Sequence, residues 1–226
     1  MSGDLVRLAR PGELAARHLR EVAGEGGVGS SVPVAEPAPE ATLAHPIAEA
    51  AEDRLAVNRF GLRLFIASES MLFAALVASR FYLAGLERPE GVNLGLGVAL
   101  TAILLGSSWL GYRGLAAIRR GDRGAAARRL GGAILLGLAF LVGVGVEWAT
   151  AEFSIGTAYG TAFFATTGLH AAHLASGIVV LAALVNLLRL GRFDAEAHWG
   201  VAAGVAYWTF VDAVWVLAVF PSLYLL

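Results

Sequence analysis

Four side chains able to bind, donate or share a proton stand inside stretches that are otherwise apolar: Glu69, His170, His173 and Asp212. Glu69 sits within Phe65-Ile66-Ala67-Ser68-Glu69-Ser70-Met71-Leu72-Phe73. A carboxyl group in such surroundings faces protein, where it either joins helices by hydrogen bonds or marks a functional path. His170 and His173 are three residues apart, so one helix would carry both on adjoining parts of a face with Thr166 and Gly177. Such a pair could supply two metal ligands, but cysteine is absent and the other three histidines lie outside the apolar stretches. Hydrogen bonding between helices, or packing against a partner, is the better expectation, and no metal site is assigned. Asp212 lies between Trp208 and Trp215, four residues before and three after, so the indole N–H groups could donate to its carboxylate. Arg80 is expected at an outer membrane interface, against a lipid headgroup. Glu147 and Glu152 are expected near the same interface without a special role.

These residues have to be positioned by membrane helices. The 226-residue chain is 57% hydrophobic and 15% charged, with a mean hydropathy of +0.67, and its charges are segregated. A bilayer needs about 20 apolar residues per helical crossing. Five stretches meet that length, at about 62–84, 92–112, 130–149, 159–188 and 201–226. Small residues (Ser107, Gly111 and Gly114; Gly156, Gly160 and Thr167) would let helix backbones approach closely. The expected fold is all-α, a transmembrane bundle of five helices occupying residues 56–226.

Residues 1–55 read as a polar, largely irregular N-terminal arm. Within it Glu13 to Val22 could form a short amphipathic helix after Pro11, and 24–48 reads as a flexible linker rich in Gly, Ala, Pro and Glu. The first twenty residues lack the continuous apolar run of a cleavable signal peptide. All seventeen basic residues are arginine. Apart from Arg80 and a single first-loop arginine, Arg88, they fall before the first span (Arg54, Arg59 and Arg63 nearest to it), in a second loop placed at 113–129, and after the fourth span (Arg189, Arg192). Positive charge is retained on the cytoplasmic side, so the N-terminus is expected to be cytoplasmic and the C-terminus outside. The near-neutral net charge gives no reason to expect nucleic acid. Without cysteine, thiolate metal centres and covalently attached haem c are excluded.

Three blocks carry a resemblance. Arg59-Phe60-Gly61 runs into Phe65-Ile66-Ala67-Ser68-Glu69. Tyr159-Gly160-Thr161-Ala162-Phe163-Phe164-Ala165-Thr166-Thr167-Gly168-Leu169-His170-Ala171-Ala172-His173 ends at Gly177. Tyr207-Trp208 is followed by Phe210-Val211-Asp212 and Trp215. A weaker match covers Gly106-Ser107-Ser108 and the approach to Glu147-Trp148. In order and spacing these resemble subunit III of haem-copper respiratory oxidases, in the short five-helix form. Thr209 and Val144 depart from the pattern, standing where the family usually has histidine and glutamine.

The resemblance implies a V-shaped bundle against catalytic subunit I and other oxidase subunits. It implies phospholipid in the cleft, with Arg59 and Arg80 as lipid contacts, and haem and copper held by partner subunits and none by this chain. It also implies a prokaryotic inner (plasma) membrane and support of proton uptake during turnover, for an oxidase receiving electrons from cytochrome c or quinol. Glu69, His170, His173, Trp208, Asp212 and Trp215 are then structural or functional polar positions, none of them catalytic. Three rivals remain open at this point. One is an accessory subunit of a nitric oxide reductase. Another is a stand-alone transporter with a Glu69–Asp212 relay, although internal repeats and interrupted helices are not evident. The third is an intramembrane protease using Ser107 or Ser108 with His170.

Overall fold

The computed structural model describes residues 40–226 except 87, 88 and 90, with side chains from Glu52 onward. The possible helix at Glu13 to Val22 lies outside the described residues. Five helices follow one another: α1 Glu40–Ala84, α2 Leu94–Ile118, α3 Arg123–Thr150, α4 Ala158–Arg189 and α5 Trp199–Val214. Two widened turns, Trp215–Val219 and Pro221–Leu225, continue α5. All five are long and apolar enough to cross a bilayer, the first over Glu52–Ala84 and the last over Trp199–Leu225. The chain is a multi-pass membrane protein.

Two boundaries differ from the sequence reading. Helix α1 begins at Glu40, inside the stretch expected to be a flexible linker. Segment 113–129 is not a loop: α2 runs to Ile118 and α3 starts at Arg123. Alanine, leucine and arginine are strong helix formers, so the arginines extend both helices beyond the apolar stretch. The break comes at Gly121, whose φ of 79° suits glycine. Its N–H bonds to Ile118 O at 2.8 Å and the next N–H, of Asp122, to Ala117 O at 3.1 Å. This is the paired closure of a Schellman motif. Asp122 then turns from ending one helix to starting the next, its Oδ1 accepting from Ala125 N at 2.8 Å.

Helices α2 to α5 form a four-helix bundle, with α3 between α2 and α4, and α5 closing the ring against both α2 and α4. Trp208, Trp215, Phe140, Phe163, Leu100, Leu104 and Leu174 fill its interior. Trp208 lies between two glycines. A Cβ at Gly137 would come within 2.6 Å of its ring, and one at Gly177 within 2.9 Å. Those absent side chains are the space that the indole occupies.

Pro221 has no N–H to donate to Leu217 O. Around it the backbone bonds lengthen to five-residue closures, from Phe220 N to Trp215 O and from Leu226 N to Pro221 O. Helix α1 is attached differently, by a few side chains reaching into α4 and α5.

Candidate functional site

The first polar contact joins α1 to α4. His173 Nδ1 lies 2.8 Å from Leu169 O. A carbonyl only accepts, so Nδ1 carries a hydrogen. His173 Nε2 lies 2.9 Å from Glu69 Oε2. One proton therefore serves this contact. It resides on Glu69 and is donated to a neutral imidazole, or on His173 and is donated to a carboxylate. Both side chains are largely covered, at 14% and 19% exposure. The Phe73 ring stands edge-on to His173 at 5.0 Å, and Phe65 of α1 rests on Tyr207 of α5 at 5.8 Å. Tyr207 in turn shares a 2.7 Å bond with Ser176 of α4.

One turn away, His170 is fully buried. Its Nε2 lies 3.1 Å from Val211 O, so this nitrogen donates and ties α4 to α5. The rings of Phe73, Phe140 and Trp215 enclose it. His170 and His173 thus face different neighbours and do not converge on one point. The sequence brings them together; their hydrogen bonds separate them.

A second cluster lies between α2 and α5, and here the expectation about the tryptophans is corrected. Neither indole donates to Asp212. Trp208 Nε1 donates to Ser107 Oγ at 2.8 Å, and Trp215 Nε1 to Thr101 Oγ1 at 3.0 Å. The partner of Asp212 is Ser108, whose hydroxyl donates to Oδ2 at 2.6 Å. The reason is reach: each indole N–H projects outward across the interface to the facing helix, whereas the carboxylate is short. The three side chains therefore form three separate rungs from α5 to α2. Ser107 also donates to Ala133 O on α3 at 3.3 Å. With both serines so engaged and His170 on Val211 O, no serine–histidine pair exists among the described residues. The protease reading fails on that geometry.

A third cluster was missed in the sequence. Glu147, expected to have no special role, is engaged. It is 4% exposed, and Tyr224 from the far end of the chain donates to its Oε2 at 2.5 Å. Tyr159 OH donates to Leu223 O at 2.5 Å, which fastens the widened turns of α5 to α4. Glu147 follows a long uncharged run from Leu130 and directly precedes Trp148. That position at an apolar helix end, with a tyrosine near the C-terminus to match it, was the available signal.

Arg80 requires a second correction. It is fully buried, its guanidinium lying over the Tyr159 ring at 4.9 Å and the Phe81 ring at 5.5 Å and donating to Gly85 O. Cation–π contact and burial between α1 and α4 take it away from a headgroup position. Arg59, by contrast, is exposed. Its guanidinium stands 5.6 Å from the Trp199 ring centre, in an open cavity of about 690 Å³ that Arg119, Arg192 and His198 also line. Beside this cavity Asp194 caps a turn through the N–H groups of Ala197 at 2.6 Å and Glu196 at 2.9 Å. Those hydrogen bonds, Ala197 first, hold its carboxyl below the usual aspartate range. A second cavity, about 670 Å³ and mainly apolar, runs between Phe73, Val77 and Phe81 of α1 and Phe210, Val214 and Leu217 on the α5 side.

With this geometry in view, the comparisons with known proteins are decisive. The sequence model of the family described as cytochrome c oxidase subunit III matches residues 41–226. The chain belongs to that family. Relatives named cytochrome c oxidase subunit 3 agree. The one from Thermostichus vulcanus is 32% identical over 173 residues, covering 74% of this chain and 86% of the relative. The Corynebacterium diphtheriae protein is 35% identical, covering 77% and 91%. The one from Synechocystis sp. is 33% identical, covering 75% and 76%. The family's match spans α1 to α5, so all three polar clusters lie inside it. Of the two departures noted in the sequence, Val144 is buried in the core. Thr209 Oγ1 is buried without a hydrogen-bond partner among the described residues. The transporter and nitric oxide reductase readings are not favoured.

Proposed function

We propose that this chain is the non-catalytic subunit III of a haem-copper terminal oxidase in aerobic electron transport. In this reading it packs against catalytic subunit I and supports the continued uptake of protons. The observation carrying the reading is the combination of family membership with polar groups engaged in bracing. The buried acids and histidines bond to other helices, and no three His, Asp or Glu side chains gather into a metal-holding group among the described residues. Haem and copper belong to the partner subunits.

The two cavities give the lipid part of the proposal its chemistry. Arg59, Arg192 and Arg119 offer positive charge and Trp199 an aromatic surface to an anionic headgroup. The apolar space between α1 and α5 suits acyl chains. Arginine placement supports a cytoplasmic N-terminus; in this reading the membrane is a prokaryotic plasma membrane, and the Arg59 cavity lies at its cytoplasmic face. Glu69 and His173 then hold α1 against α4 between the two cavities, so the pair governs how far that space can open.

Isolation of the native complex tests the assignment. This chain is expected to co-purify in fixed proportion with a larger haem-bearing subunit. Complexes carrying Glu69→Ala should lose activity over many turnovers faster than the parent. A solitary active protein, or a haem ligated by this chain, would defeat the assignment. Unchanged endurance with Glu69→Ala would remove the role given to that carboxyl group.

A further inference from the structure

The hairpin between α2 and α3 carries charge that none of the contacts above explains. Residues 113–129 contain six arginines and one acid. The acid, Asp122, is committed to capping α3, and Arg123 donates from Nε to Phe193 O. The Glu69–His173 contact lies elsewhere. Arg113, Arg119, Arg120, Arg128 and Arg129 thus have no carboxylate within bonding distance among those residues.

These arginines occupy two levels. Arg113 stands five residues before the end of α2 at Ile118, and Arg129 six residues after the start of α3 at Arg123. At 1.5 Å per residue both lie about 8 Å inward from the turn, whereas Arg119 and Arg120 are on the turn itself. The inner level is bonded together, with Arg129 Nη1 donating to Arg113 O at 2.8 Å. The Arg113 guanidinium lies 5.2 Å from the Trp109 ring centre. Below it runs an exposed stripe at helical spacing: Tyr112 at 55%, Trp109 at 59%, Leu105 at 54% and Val98 at 53% exposure.

We propose that Arg113 and Arg129 hold the phosphate of an anionic phospholipid here, its acyl chain lying along Trp109, Leu105 and Val98. This site is separate from the Arg59 cavity and from the space beside α1. Tryptophan and tyrosine favour the level between headgroup and hydrocarbon, and here they coincide with two guanidinium groups that no carboxylate neutralises among the described residues. The stripe runs about 22 Å down one helix, a chain's length rather than a protein-sized patch. Arg120 stands one level further out and adds attraction without contact, while Arg119 belongs to the Arg59 cavity.

The test uses the intact purified complex in bilayer discs of phosphatidylcholine with a trace of spin-labelled phosphatidylglycerol. The fraction of immobilised label gives selectivity for the anionic lipid. Juxtamembrane basic residues each contribute about fivefold to association with anionic lipid. The pair Arg113→Gln and Arg129→Gln should lower selectivity about tenfold or more, and Arg113→Lys much less. Arg120→Gln, on the turn and outside the Arg59 cavity, should have the smaller effect, one that added salt abolishes. Equal selectivity in parent and Arg113/Arg129 variant would overturn the proposal. So would loss of another subunit from that variant, since the face would then be a protein contact. An equal or larger loss from Arg120→Gln would overturn the placement of the phosphate.

Discussion

Helix α1 and the α2–α5 bundle are built on opposite principles. In the apolar window of α1, 6% of residues are buried, against 28–39% in the other four helices. The bundle is held by interdigitated volume: Trp208 between two glycines, Trp215 against Phe140 at 4.8 Å. Helix α1 is held by points: Glu69 on His173, Phe73 beside both imidazoles, Phe65 on Tyr207, and Arg80 over Tyr159. Lipid gives apolar helices no hydrophobic reason to associate, so continuous packing or specific polar contacts have to supply it. The bundle uses the first and α1 the second. A helix attached at points leaves room beside it, which is where the apolar cavity runs.

The largest effect that would sharpen this contrast comes from the bundle. Trp208→Ala empties a space that glycines reserve, and a cavity of that kind costs about 3–5 kcal/mol. Denaturant unfolding of the purified complex should show the bundle lost at markedly lower concentration. Next comes Tyr224→Phe, which leaves the buried Glu147 carboxylate without its donor. A destabilisation of about 1–2 kcal/mol is expected, read as faster proteolysis at the C-terminus. Ser108→Ala likewise strips the buried Asp212 carboxyl of its hydrogen bond and should cost a similar amount, about 1–2 kcal/mol, with Trp208 and Trp215 unaffected because their partners are other hydroxyls.

The smallest effect lies outside the membrane. Asp194 has its carboxyl pKa lowered on folding, so its contribution is present above the unfolded aspartate value and is lost as pH falls through the folded one. Acidification through the folded value should therefore loosen the turn after α4, seen as lower amide protection factors, relative to the intrinsic exchange rate at each pH, at Ala197 and Glu196. In Asp194→Ala that acid-induced change should vanish.

Helix existence, number and membrane placement were readable because apolar length is a local property. So was the depth of Glu69, His170, His173 and Asp212. Their partners were not readable. Glu69 and His173 are 104 residues apart, as are Ser108 and Asp212, and periodicity within one helix carries no information on the facing helix. For the same reason Trp208 and Trp215 were paired with the acid on their own helix, though their N–H groups reach across to α2. Glu147 was overlooked because a carboxylate at the end of an apolar run reads as having no special role until Tyr224 folds over it. Arg80 was set outside because burial of a guanidinium between Tyr159 and Phe81 depends on α4.

The Glu69–His173 bond holds α1 against the bundle, and a labelling cycle tests that hold most directly. The chain has no native cysteine, so Ser70→Cys, in the wall of the apolar cavity, gives a single thiol in this subunit. Its labelling rate in the intact complex would be compared alone and with Glu69→Ala, His173→Ala, and both. If the two side chains act as one bond, either substitution speeds labelling several-fold and the double variant labels no faster than the faster single. Rates that multiply in the double variant, or that never rise above the parent, would contradict it.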